Sequence, residues 1–255
     1  MKSLLPVVSI VALWGASSCL HADPINPRRV EGLRQACAAK AEAQDVEGAE
    51  RACKLGLEFA PQDGDLLTNL GIVRLLQGQR SEARACFIKA VRFQPNQAQA
   101  LSSLGKMDLD DHEYSAAERH SRAALAVNPD FLEARQNLGL AQYLAGNKVE
   151  AKKTFLTLLD INPNLALPHE ELGVMALEAG ESGEAESEFA KSTALDPSNA
   201  RAWMSLGVTR MQRGASGTAA EAFQSCLQAD ESLLGCRDGL ERANRIEAIR
   251  TPRPR

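Results

Sequence analysis

The sequence predicts an all-α protein that is built from stacked pairs of antiparallel helices. Three columns of residues, a Leu-Gly pair, an Ala and a Pro, each recur with a period of 34 residues. Their members are Leu70-Gly71, Leu104-Gly105, Leu138-Gly139, Leu172-Gly173 and Leu206-Gly207; Ala49, Ala83, Ala117, Ala151, Ala185 and Ala219; and Pro61, Pro95, Pro129, Pro163 and Pro197. A fixed period of this length indicates repeated supersecondary units that bury apolar surface mainly against their neighbours.

Each unit is predicted to contain two helices, A and B, joined by a short turn. In the unit 98–131, apolar residues recur at helical spacing in two separate stretches, one on each side of the turn. The Gly of helix A and the Ala of helix B are small, which lets antiparallel helices approach closely. Pro ends helix B because it lacks an N–H and clashes with the preceding turn. The residue after each Pro is predicted to cap the next helix, namely Asn96, Asp130, Asn164 and Ser198.

These columns resemble the tetratricopeptide repeat (TPR). Trp203-x2-Leu206-Gly207 matches the start of its pattern, and Phe87, Phe155, Phe189 and Phe223 occupy its aromatic column. The sequence departs from the pattern at Ser121, in the aromatic column, and in the first unit, which has Ala36-Cys37 in place of Leu-Gly.

The resemblance implies one elongated domain, a right-handed TPR superhelix of six helix–turn–helix repeats. The predicted boundaries are 30–63 for a degenerate first repeat, then 64–97, 98–131, 132–165, 166–199 and 200–233. Apolar residues at helical spacing predict a capping helix over 234–249, and residues 250–255 are predicted to be a disordered tail. Atypical terminal units are expected of a solenoid, because its ends face water.

The first 18 residues are predicted to be an export signal. A Lys near the start is followed by an apolar run over 4–14, which is too short to span a bilayer as a helix. Small residues directly before Cys19 resemble the signal of bacterial lipoproteins, in which that Cys is lipidated. Residues 19–29 are then a lipidated tether that holds the protein on a membrane.

The residue after the lipidated Cys indicates which membrane holds the protein. In the lipoproteins that this segment resembles, an Asp at that position favours the inner membrane, so Leu20 implies the outer membrane and a periplasmic-facing protein. The alternative is ordinary cleavage after Ala22, which leaves a soluble periplasmic protein.

The cysteines suit an oxidising compartment. Cys37 and Cys53 fall in the two helices of the first unit, while Cys226 and Cys236 fall in adjacent helices at the other end. We therefore predict disulfides Cys37–Cys53 and Cys226–Cys236, with Cys86 as a free thiol. Other pairings, or buried thiols throughout, remain as alternatives because sequence alone does not fix connectivity.

Little in the sequence indicates catalysis. The net charge of −4 and the low aromatic content of 4% give no footprint for nucleic acid. The histidines have no metal-ligand partner at helical spacing, and the acidic run 108–113 lacks the Gly and distal Glu of a calcium loop, so a solvated turn is predicted there. Neither a phosphate-binding loop nor a nucleophile elbow is present in the sequence. We predict a protein that is not an enzyme and that binds no cofactor, no metal and no nucleic acid.

The predicted partner-binding surface is a groove. In TPR proteins, the face of helix A that is turned away from helix B lines a concave surface that accepts polypeptides. The corresponding residues here are Ile72, Leu75, Lys106, Leu109, Leu140, Tyr143, Val174, Leu177, Met204, Val208 and Met211. Ile72, Leu140, Val174 and Val208 occupy a column where the TPR pattern is polar, and the resulting apolar groove predicts an apolar or amphipathic polypeptide partner. For Leu75, Leu109, Tyr143 and Leu177, burial between repeats is the alternative.

An outer-membrane lipoprotein with six TPRs resembles the pilotins of type IV pilus systems, the Tgl and PilF type. That resemblance implies a role in localising and assembling the outer-membrane secretin of the pilus, and so in motility. The alternative is a periplasmic TPR scaffold that binds or regulates peptidoglycan enzymes or other envelope enzymes.

Overall fold

The computed structural model describes residues 27–250, and these residues form helices and turns without any strand. The helices are α1 (Pro27–Glu42), α2 (Val46–Phe59), α3 (Gly64–Leu76), α4 (Arg80–Phe93), α5 (Ala98–Asp110), α6 (Tyr114–Val127), α7 (Leu132–Leu144), α8 (Lys148–Ile161), α9 (Ala166–Glu178), α10 (Ser182–Leu195), α11 (Ala200–Gln212), α12 (Ser216–Ala229) and α13 (Leu234–Arg250). Odd-numbered helices up to α11 are the A helices of six repeats, and even-numbered helices are the B helices. The fold is an all-α TPR superhelix.

The two ends of the helical region differ slightly from the predicted boundaries. Helix α1 begins at Pro27, three residues before the predicted start of the first repeat, and α13 extends to Arg250, one residue beyond the predicted cap. The predicted signal, Cys19, Ala22 and residues 251–255 lie outside the described residues, so the predictions about them stay predictions.

Inside most repeats, the glycine of helix A faces the aromatic ring of helix B. A Cβ atom built on Gly139 would lie 2.6 Å from Cε1 of Phe155. The same contact recurs at 2.5–2.8 Å in the pairs Gly71–Phe87, Gly173–Phe189 and Gly207–Phe223. The glycine is therefore required by a buried ring, and the Ala column packs beside this contact with no exposed surface.

Two repeats replace this glycine–ring contact. In the first repeat, Cys37 and Cys53 occupy the glycine and aromatic columns, and a disulfide joins them with their Cα atoms 5.2 Å apart. In the third repeat, Gly105 faces Ser121, whose buried Oγ has no hydrogen-bond partner among the described residues. The disulfide of the first repeat and the Ser121 side chain of the third thus lie where a phenylalanine ring lies in the other repeats.

The far end of the stack has its own covalent link. A disulfide joins Cys226 of α12 to Cys236 of α13, with their Cα atoms 6.1 Å apart. Cys86 is a half-buried free thiol, and burial raises the pKa of this thiol above its ordinary value. Both disulfides join the predicted pairs of cysteines, and the pairing itself stays a prediction.

The turn between helices A and B uses a left-handed backbone in every repeat. The residue at this point has a φ of 74° at Gly78 and between 79° and 87° at Gly146, Gly180 and Gly214. In the first and third repeats the same position holds Gln44 (φ 61°) and His112 (φ 62°). A side chain with a Cβ is strained in this conformation, so these two turns are less favourable than the others.

The turn between helix B and the next helix A corrects the predicted N-caps. Predicting the caps at Asn96, Asp130, Asn164 and Ser198 was wrong, because the observed caps are one residue later, at Gln97, Phe131, Leu165 and Asn199. The reason is a local turn that wraps around the proline. In three of these four turns the side chain before the Pro accepts a hydrogen bond from the backbone N–H two residues on, as Asp196 Oδ1 does from Ser198 N at 3.0 Å. At the Pro95 turn, Gln94 instead accepts from the backbone N–H of Gly64. The turn around the proline delays the start of the helix by one residue.

A network of charges joins the second and third repeats. Asp108 is buried, and its carboxylate lies 2.6 Å from the Arg84 guanidinium of α4 and 2.6 Å from Nδ1 of His120 on α6. Arg80 and Arg84 also pair with Asp111 at 2.7 and 2.6 Å. The prediction of a solvated turn over this acidic run was therefore wrong at Asp108, which is a buried link between repeats.

The stack has an inner and an outer side. Successive A helices contact each other at most junctions, and α13 contacts α11 in the same way. Successive B helices make no comparable contact within residues 27–250. Helices that lie closer together are on the inside of a curve, so the A helices line the concave side of the superhelix.

Candidate functional site: the concave groove

The concave groove is the surface that the exposed faces of the A helices share. Of the eleven predicted groove residues, Leu75, Lys106 and Val208 are exposed. The half-buried ones are Ile72, Leu140, Tyr143, Val174, Leu177, Met204 and Met211. Most of the predicted set thus lies on this surface, although the half-buried members also pack on the core beneath it.

Leu109 does not belong to the groove. It is only 7% exposed and lies in a core cluster with Ala117 and Ala141, between the third and fourth repeats. The prediction of Leu109 as a partner-binding residue was wrong, and the alternative of burial between repeats is correct for it. Tyr143 is intermediate, because its ring packs on the core while its hydroxyl donates to Glu178 at 2.7 Å.

Sequence reasoning missed two exposed leucines in the groove. Leu76 and Leu144 are 44% and 47% exposed and lie one helical turn beyond Ile72 and Leu140. Residues four apart share a helix face, so this spacing was the signal that could have identified them. They extend the apolar strip toward the C-terminal ends of α3 and α7.

The N-terminal end of the groove is polar. A cavity of about 340 Å³ lies between α1, α3 and the start of α5, lined by Glu31, Arg34, Gln35, Ala38, Asp65, Thr68, Asn69, Gln97 and Gln99. The Gln97 amide donates to Asp65 and to the side chain of Gln94, each at 2.9 Å. Arg34 donates to the buried carboxylate of Asp63 at 2.6 and 2.8 Å. This end offers amides and charges to a partner.

The C-terminal end of the groove is a larger and more apolar cavity, which we call the α11–α13 pocket. Its volume is about 610 Å³, and it is lined by Val208, Met211, Gln212, Phe223, Gly235, Asp238, Gly239, Arg242 and Ile246. Val208 and Ile246 are 39% and 37% exposed. The contribution of α13 was not predicted, because this helix was interpreted as a cap that only covers the last repeat.

Two buried carboxylates lie below the groove at the junction of the fifth and sixth repeats. Glu170 and Glu171 are adjacent on α9, and both bind the guanidinium of Arg201, the latter at 3.1 Å. Asn199 donates a further hydrogen bond to Glu170 at 2.8 Å. Burial raises the pKa of Glu171 above its ordinary value, although the Arg201 charge opposes this shift. The cluster fastens one repeat to the next.

The outer side carries a cavity that is similar in size to the α11–α13 pocket. It has a volume of about 620 Å³ and lies between α8 and the end of α9, beside Val149 and Leu156. The lysines on its rim are largely engaged, since Lys148 pairs with Glu178 at 2.8 Å and Lys152 pairs with Glu184 at 3.0 Å. This surface provides a matched control for tests of the groove.

Residues 27–250 contain no group of three His, Cys, Asp or Glu side chains placed to hold a metal ion. None of the helices in this range combines the length and the apolar character needed to cross a bilayer.

Comparison with protein families identifies the repeats. Tetratricopeptide repeat models match residues 108–169 and 171–232. The chain therefore contains tetratricopeptide repeats, as its residue columns predicted. No curated protein matches the chain in sequence.

Solved structures share the fold at low sequence identity. The structure of PilF from Pseudomonas aeruginosa superposes with a TM-score of 0.75 and 18% identity, covering 85% of this chain and 98% of that one. The Cut9–Hcn1 complex of the APC/C matches at a TM-score of 0.73 and 15% identity, covering 86% of this chain but 43% of its own. YrrB, a TPR protein with an unusual peptide-binding site, matches at a TM-score of 0.59 and 20% identity. The match covers 76% of this chain and 100% of YrrB. At these identities the matches show the fold.

Proposed function

We propose that this tetratricopeptide-repeat protein is a non-enzymatic scaffold of the bacterial envelope, and that it acts as a pilotin for the secretin of a type IV pilus. The observation that carries this proposal is the match to PilF, which covers 85% of this chain and 98% of PilF. Cut9–Hcn1 has a similar TM-score of 0.73, but only 43% of that chain is covered, and YrrB has a lower TM-score of 0.59. The match over most of both chains supports a PilF-like role.

The chemistry of the groove supports a polypeptide as the partner. Apolar side chains of the second, fourth, fifth and sixth repeats are accessible along the A helices, and a polypeptide segment of several residues can contact more than one of these repeats. Leu75, Leu76, Leu144 and Val208 expose between 39% and 47% of their surface on these helices. Exposed apolar side chains of this kind are typical of protein-interaction surfaces.

The proposed attachment to the outer membrane depends on Cys19, which lies outside the described residues. From Cys19 to Pro27 the chain advances by eight residues, which reach at most about 25–30 Å. A lipid on Cys19 would keep α1 within that distance of the bilayer. The scaffold would then be held where secretin subunits insert.

The anchor is tested by the Cys19→Ala variant in cells. Palmitate labelling should disappear, and the protein should move from the membrane fraction to the soluble fraction. Unchanged fractionation would contradict the lipoprotein proposal and favour cleavage after Ala22.

The pilotin role is tested in a deletion strain. Heat-resistant secretin multimers and pilus-dependent movement should both be lost, and the wild-type gene should restore them. Normal multimers in the deletion strain would contradict the role and would favour a scaffold for peptidoglycan or other envelope enzymes.

A further inference from the structure

Helix α13 continues the register of the A helices. Arg242 and Ile246 lie 34 residues after Val208 and Gln212, which are groove residues of α11. All four line the α11–α13 pocket. The last helix therefore presents to the groove the same face that the A helices of the repeats present.

Two glycines on α13 shape this pocket. A Cβ atom at Gly239 would lie 2.5 Å from the ring of Phe223, so only glycine allows α13 to pack against that ring. A Cβ atom at Gly235 would lie 3.1 Å from Sδ of Met204. The absence of side chains here lets α13 pack closely on α11 and α12, and Gly235, Gly239 and Phe223 all line the pocket.

The rim of the pocket carries two charges of opposite sign. Asp238 and Arg242 are exposed and lie one turn apart on α13. Neither takes part in an ion pair identified among residues 27–250, unlike Arg34, Arg84 and Arg201. A pair of unmatched charges beside exposed apolar side chains is suited to a partner that supplies both complements.

We propose that the α11–α13 pocket is the anchor site of the concave groove. It takes a polypeptide segment in which large apolar side chains lie between an acidic and a basic group. The apolar side chains contact Val208, Met211 and Ile246, the acidic group pairs with Arg242, and the basic group pairs with Asp238. This inference rests on the proposed scaffold function and identifies the chemistry of its partner.

The probes are short fluorescein-labelled peptides with a central Leu-Phe-Leu. One has Glu before and Lys after the centre, a second has the two charges reversed, and a third has Ser at the centre. The full-length mature protein should bind one charge order more tightly than the other and should bind the Ser peptide least. Ile246→Asp should lower the affinity for the preferred peptide by about tenfold or more.

The proposed pairing of Asp238 and Arg242 with the charges of the peptide is tested by the double variant Asp238→Arg/Arg242→Asp. This variant should prefer the peptide with the opposite order of charges. Both positions are exposed, so this variant should fold as the wild type does. Val149→Asp on the outer side is the matched control and should bind as the wild type does. Equal affinity for both charge orders, an unchanged preference in the double variant, or full binding by Ile246→Asp would overturn the inference.

The same variants separate this inference from the pilotin proposal. If the wild type binds the peptides as expected but not the secretin, the anchor site stands and the proposed partner is wrong. If the secretin binds equally to the wild type and to Ile246→Asp, the scaffold role stands and the anchor site is wrong.

Discussion

Single residues in the A–B turns show how the repeat tolerates departures from its pattern. The turn requires a left-handed backbone, which Gly78, Gly146, Gly180 and Gly214 adopt without a side-chain clash. His112 adopts it at a φ of 62° with a Cβ atom. This position is therefore where a single substitution should relieve strain.

We expect His112→Gly to raise the free energy of unfolding by roughly 0.5–1 kcal/mol, since glycine removes the clash of the left-handed conformation at a partial cost in entropy. Urea denaturation of the wild type and the variant measures the difference. The reverse change, Gly146→Ala, is the control and should destabilise by a similar amount. A destabilised His112→Gly protein would show that the imidazole contributes more than the strain costs.

Ion pairs between elements give the stack a dependence on pH. On α2, Glu50 accepts hydrogen bonds from Lys54 and from Gln77, which follows α3, and it also pairs with Arg74. These contacts lower the pKa of Glu50 from 4.5 to about 2. A lowered folded pKa stabilises the fold above the unfolded value, and this contribution is lost as the pH falls through the folded value.

The wild type should therefore be more stable than Glu50→Gln above pH 4.5, and the difference should shrink as the pH falls toward 2. Unfolding free energies across this range, measured on both proteins, check the prediction. A difference that is constant with pH would mean that packing at Glu50, rather than its charge, carries the contribution.

The disulfides are a second link between elements, and they lie at the two ends of the stack. Their sequence separations are 16 and 10 residues. Bridges that close loops of this length add about 3 kcal/mol in the chain-entropy account. Reduction should thus lower thermal stability, most of all in the terminal repeats, as hydrogen exchange would measure.

Mass spectrometry of a non-reduced digest of the exported protein checks the pairing directly. We expect the linked peptides Cys37–Cys53 and Cys226–Cys236, together with an unmodified Cys86. Alkylatable thiols at the four paired positions would contradict this connectivity.

For the molecule as a whole, the period of the sequence predicted the repeats but not the angles between neighbouring repeats. Gly139 and Phe155 could be placed in one repeat because their columns are local in sequence. The burial of Leu109 depends on the angle between the third and fourth repeats, which a period does not encode. The same holds for α13, whose place in the groove follows from its packing on α11 and Phe223.

The proposed scaffold function requires that the concave groove bind a polypeptide of the envelope. Val208 is the position to change, because it is exposed, whereas Leu140 and Val174 also pack on the core. A glutamate there would face an apolar partner that cannot satisfy its charge. Gly139→Leu is a different kind of change, which should unfold the fourth repeat by displacing Phe155.

The most direct measurement is a binding titration of the purified secretin with the wild type, Val208→Glu and the outer-side control Val149→Glu, each first shown by circular dichroism to melt at the wild-type temperature. The account predicts that Val208→Glu loses about tenfold or more in affinity while Val149→Glu binds as the wild type does. Wild-type affinity in Val208→Glu, with lost affinity in Val149→Glu, would contradict the account and place the partner on the outer side.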